Sequence, residues 1–102
     1  MTNADQLRGM SLIAGEWVHG ESGRVTGIDP STGRKLDPEY SLIDGAQLLD
    51  ATGFAADAYP TYSALAPSTR AEFLDGIADN IESSREAIVD RAMKETGLPE
   101  AR

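Results

Sequence analysis

The sequence predicts short β-hairpins followed by three α-helices. Over residues 11–37 short apolar runs alternate with glycine- and proline-bearing turns, and from Ser41 onward the apolar spacing changes from two toward 3.6. Two Ser/Thr-x-x-Glu signals and a Gly97-x-Pro99 ending then divide the second half into separate helices.

Residues 1–10 are polar and aperiodic and read as a loose tail. Leu12–Val18 (LIAGEWV) reads as two short strands around a tight turn, with Gly15 supplying the positive φ that turn requires. Trp17 is the expected anchor that packs this ribbon on the helices. After a polar loop from Gly20 to Gly23, a strand around Val25–Ile28 stops at Asp29-Pro30, because proline donates nothing to a strand ladder. Asp29-Pro30-Ser31-Thr32-Gly33 is turn chemistry throughout, and a second hairpin is expected to end near Leu36.

The first helix is expected over residues 44–59, with Gly45, Leu48, Leu49, Thr52, Ala56 and Tyr59 on one face. Ser41 or Asp44 is its candidate N-cap, and Pro60 its expected stop. Thr69-x-x-Glu72, just after Pro67, predicts a second helix over 69–83 with a stripe of Leu74, Ile77, Ala78 and Ile81. Ser83-x-x-Glu86 and Gly97 bound a third helix over 85–95 with Ile88, Val89, Ala92 and Met93 on its apolar face. The acidic residues from Glu72 to Glu95 read as the solvated outer face of the last two helices.

Composition narrows function further. Seventeen acidic against nine basic residues leave a formal charge of −8, which repels a nucleic-acid polyanion. Leu, Ile, Val and Phe together number 20 of 102 residues, while Ala alone contributes 14, so the material for an independent core is thin. There is no cysteine, hence no thiol nucleophile, disulfide or thiolate metal site, and the single histidine, His19, supports neither a two-histidine metal site nor a Ser-His pair and reads as a surface residue of a loop. No run approaches a membrane span and no secretory leader is evident, so the expected compartment is cytoplasmic. The glycine pairs Gly15/Gly20 and Gly27/Gly33 lack the spacing and following residues of a phosphate cradle.

The order of the pieces is more informative than any one of them. LIAGEWV, then DPSTGR, an Ala-rich helix, and RAEFLDGIADNIESSREAIVDRAMKETGLPEAR together resemble the N-terminal region of the NAD(P)-dependent aldehyde dehydrogenase superfamily, over Leu12 to Arg102. The run Lys94 to Arg102 is most similar to the branch that oxidises α-ketoglutarate semialdehyde (2,5-dioxopentanoate). The resemblance implies an α/β parent fold with a Rossmann-like cofactor domain, in which this stretch is the incomplete N-terminal part, residues 11–102.

It further implies NADP or NAD in the complete enzyme and none bound by this chain alone. The partners it implies are the remaining enzyme body and a homo-oligomer, with no nucleic acid and no membrane. The family's nucleophilic cysteine, general-base glutamate, oxyanion asparagine and cofactor glycines lie beyond the matched segment, so no catalytic or cofactor-binding residue is carried over and the chain alone is expected to be inactive. One site is portable: a structural monovalent cation held by backbone carbonyls just before the Asp-Pro turn and by the acidic residue before the helix-ending glycine, which fall on Gly27, Ile28 and Glu95. The alternative to a scaffold segment is a stand-alone, non-enzymatic helical protein that binds a partner through its apolar faces.

Overall fold

The computed structural model of the chain describes residues 7–102. Two antiparallel hairpins come first: β1 (Ser11–Ile13) with β2 (Glu16–Val18), and β3 (Gly23–Ile28) with β4 (Lys35–Leu42). Three helices follow, α1 (Gly45–Ser63), α2 (Pro67–Ser83) and α3 (Arg85–Thr96).

The first hairpin turns through Ala14 and Gly15, both at positive φ (51° and 80°), as a two-residue turn matched to strand twist requires. Pairing of Leu12 with Trp17, and of Ser11 with Val18, puts Trp17 on one face and Val18 on the other. The face toward α1 is therefore the Ile13 and Val18 side, across a groove lined also by Gln47, Asp50 and Phe54. Trp17 does not serve as the expected anchor on the helices. It stays 48% exposed, and the Arg8 guanidinium lies 4.7 Å from its ring centre in a cation–π contact.

The turn from Asp29 to Gly33 forms as its residues dictate. The Asp29 carboxylate accepts from the Ser31 amide (2.9 Å) and hydroxyl (2.6 Å), the Gly33 amide donates to the Asp29 carbonyl (2.8 Å), and Gly33 sits at φ 75°. β4 does not end near Leu36 but runs on to Leu42. The ladder pairs Gly27 with Leu36, slips, and resumes at Val25 with Tyr40, so Asp37, Pro38 and Glu39 form a bulge opposite Thr26. A bulge is where a strand tolerates a proline, since the residue that cannot donate is the one left out of register.

Residues 1–6 of the expected loose tail lie outside the described residues, and Gly9 is held firmly. Its carbonyl accepts from the Ser41 amide (2.8 Å) and hydroxyl (3.0 Å), while the Gly20 amide donates to the same hydroxyl (2.8 Å). Ser41 is thus a strand residue joining three stretches of chain, and Asp44 is the helix cap. Asp44 and Gln47 make a reciprocal capping box, and the Gln47 side chain also accepts from Glu21 (2.9 Å) and donates to the His19 carbonyl (2.8 Å). α1 thereby starts pinned to the loop between the hairpins.

Pro60 does not stop α1, which continues to Ser63. One lost ladder bond so near the end is tolerable, and the last turn gains the Ser63 hydroxyl on the Pro60 carbonyl (3.3 Å) and the edge-on contact of Tyr62 with Phe73 of α2, ring centres 6.0 Å apart. α2 begins two residues before Thr69, because Pro67 presets φ at its first turn; Thr69 is already inside the helix and its side chain does not cap it. Ser83, the expected cap of the third helix, is instead the last residue of α2 and its hydroxyl donates to the Asn80 carbonyl (2.9 Å), so that box is unused too; Ser84 is at once the C-cap of α2 and the N-cap of α3, at φ −101° and ψ 11°. Gly97 ends α3 at φ 70°, its amide on the Met93 carbonyl at 2.9 Å.

Among the described residues no hydrophobic side chain is buried, and the three helices contain no buried residue. The radius of gyration is 17.0 Å, against about 13 Å for a compact domain of this size. No described helix is long and apolar enough to cross a membrane.

Candidate functional site

Reacting groups are sparse. Among the described residues no three His, Cys, Asp or Glu side chains gather as a metal cluster would. His19 sits in its loop with Nε2 2.7 Å from Arg24 Nη1; arginine has only protons to give, so Nε2 is the acceptor. Asp29 is held below its ordinary carboxyl range, first by the Ser31 hydroxyl and then by the Ser31 amide, an effect of the turn rather than of a pocket.

The structure does bring together two of the three residues implied by the cation resemblance. α3 lies against β3 so that a Cβ placed on Gly27 would come within 2.6 Å of Glu95 Oε1 and 3.2 Å of Arg91 Nη2. A side chain at this position would push these two groups aside. Ile28 follows on β3 and is exposed.

Glu95 does not face open space. Its Oε1 accepts from Arg91 Nε at 3.0 Å, one helical turn earlier, and Arg91 Nη1 donates to the Asp37 carbonyl in the β4 bulge at 2.6 Å. Arg91 Nη2 is buried without a hydrogen-bond partner among the described residues. A free cation on this carboxylate would meet a guanidinium already there, and two like unit charges 4 Å apart repel by about 4 kcal/mol at the effective dielectric of a protein surface. The Glu95 oxygen nearest Gly27 is thus the one that Arg91 Nε engages.

Arg91 was not picked out by sequence reasoning. An Arg and a Glu four residues apart on a helix look like a surface pair; Arg85 with Glu82, three residues apart across the α2–α3 junction, is a true surface pair at 3.4 Å, with both side chains at least 70% exposed. The available signal is position: Arg91 falls between Ile88, Val89, Ala92 and Met93, inside the apolar stretch of α3, and its side chain is 19% exposed.

The sequence profile of the aldehyde dehydrogenase family matches residues 17–102. The chain is also 41% identical over 98 residues to alpha-ketoglutaric semialdehyde dehydrogenase 2 of Azospirillum brasilense, a match that covers 95% of this chain and 19% of that protein. No solved structure matches significantly.

Proposed function

The chain belongs to the aldehyde dehydrogenase family, and from that membership we propose that it is the N-terminal scaffold segment of an NAD(P)-dependent enzyme that oxidises a semialdehyde to its carboxylate. In that reaction the aldehyde carbon loses a hydride to the nicotinamide and gains an oxygen from water. The thiol that family chemistry uses to hold the aldehyde is not available here, since the chain has no cysteine. Its part is to present surface: the Leu48, Leu49 and Tyr59 side of α1 and the Leu74, Ile77 and Ile81 stripe of α2 are the faces that pack on the enzyme body and support its oligomer contacts.

The observation that carries this reading is the bareness of those faces. Leu49 is 72% exposed, and among the described residues none of α1, α2 and α3 is buried. Helices of this length are marginal in water without an apolar face to cover, so a partner surface is required. The similarity to a relative named for α-ketoglutaric semialdehyde supports a short oxo-acid aldehyde as the substrate class.

The test is NAD(P)H formation from α-ketoglutarate semialdehyde. The expected result is turnover by a protein in which this segment is joined to a dehydrogenase body, and none by the 102-residue polypeptide purified free of contaminating enzyme. Turnover by the polypeptide alone would overturn the scaffold assignment. A cooperative thermal melt of the polypeptide by far-UV circular dichroism would favour a stand-alone interaction protein instead.

A further inference from the structure

We propose that the Arg91 guanidinium is a built-in cation at the junction of α3 with the β3 and β4 hairpin, standing where a bound monovalent ion would otherwise neutralise Glu95. The acceptors it meets are those a hard cation selects: a carboxylate oxygen, Glu95 Oε1, and a backbone carbonyl, that of Asp37, both oxygens. They come from different elements, so the group that joins them fixes α3 on the hairpin. A guanidinium does this with two donors of one rigid plane and carries its positive charge at any working pH.

Three details separate this from an ordinary helix-surface ion pair. The β4 bulge takes Asp37 out of strand register, and its carbonyl accepts the 2.6 Å bond. Gly27 lets the guanidinium and the carboxylate lie against the β3 backbone, where any side chain would displace them. Arg91 is largely covered, whereas Arg85, six residues earlier on the same helix, is 74% exposed and pairs with Glu82 at 3.4 Å. The inference concerns the fold of this segment and does not depend on which aldehyde the enzyme oxidises.

The experiment compares melting temperatures of the intact protein in sodium, potassium and choline chloride at equal ionic strength. Wild type is expected to melt at one temperature in all three. Arg91→Ala, which leaves Glu95 and the Asp37 carbonyl facing a vacated space, is expected to lose several degrees in choline and to regain part of the loss in sodium or potassium. Arg91→Ala with Glu95→Gln is expected to lose that rescue.

A wild-type melt that rises in sodium or potassium over choline would overturn the proposal. So would an Arg91→Ala protein that melts as wild type, or one whose loss no ion relieves. Should Arg91→Ala fail to fold in every salt, sodium-23 line widths decide the matter on folded protein: broadening by wild type that Glu95→Gln removes shows a bound ion and ends the proposal, and equal widths sustain it.

Discussion

The strand half of the chain and its helical half are held in opposite ways. Between Gly9 and Gln47 the chain closes on itself: Ser41 ties Gly9 to Gly20, Gln47 ties α1 to His19 and Glu21, and the Ser22 amide reaches the Leu42 carbonyl at 2.8 Å. From α1 onward the polar bookkeeping is mostly internal to each helix, and the apolar faces have little against them beyond the Tyr62 and Phe73 contact. Directional bonds specify the first half from within. The second half carries its specification as hydrophobic surface, which acts only when something else removes it from water.

The sharpest way to break this contrast is to truncate one apolar side chain in each setting. Leu49→Ala is expected to leave helicity of the 102-residue polypeptide nearly unchanged, since the side chain is already 72% exposed. In a protein containing the enzyme body the same change is expected to cost about 3 kcal/mol by chemical denaturation, the usual loss for a buried leucine. Equal small effects in both would show that α1 packs on nothing.

Ser41→Ala is the matching change in the strand half. It leaves the Gly20 amide without its acceptor beside a carbonyl that has lost one donor, and about 1–3 kcal/mol is the expected loss. Hydrogen exchange should locate it: amides of Gly20 and of β4 lose protection while those of α2 and α3 do not. Loss spread evenly over the helices would dissolve the distinction between the halves.

The smallest effect is expected at the turn that joins β3 to β4. The Asp29 carboxyl is lowered below its ordinary value by the Ser31 hydroxyl and amide, so its ionised form is favoured in the folded state. That contribution is fully present above the unfolded carboxyl value of about 3.9 and is lost as pH falls through the lower folded value. The difference in melting temperature between wild type and Asp29→Asn should therefore hold steady from neutral pH down to about pH 4 and shrink below it. A difference that grows on acidification would contradict the assignment.

How much of this was legible in the sequence follows the same division. Local signals read true where one residue decides the backbone: Gly15 and Gly33 at positive φ, and Gly97 closing α3. They misled where a second residue a few positions away decides instead. Pro67 starts α2 before Thr69 has a chance to cap it, and the slip opposite Thr26 absorbs Pro38, so β4 outlasts the expected hairpin. The Asp44 and Gln47 box has capping spacing, yet Gln47's reach to His19 and Glu21 depends on how the loop folds back. The nearness of Gly27 to Glu95 came from family resemblance and not from any periodicity. Arg91 was hidden because its partner in the β4 bulge lies 54 residues away, a distance no local pattern spans.

Ser84 carries a consequence for how this segment tolerates change in length. With one residue serving two helices, no slack separates α2 from α3, and the rotational phase of one is geared to the other. A single residue inserted within α3, between Ser84 and Arg91, would turn Arg91 by about 100° and advance it about 1.5 Å. Arg91 would then swing away from Gly27 and Asp37 as a key turned out of its lock, while an insertion in the Gly20 to Gly23 loop would shift nothing downstream by any fixed angle.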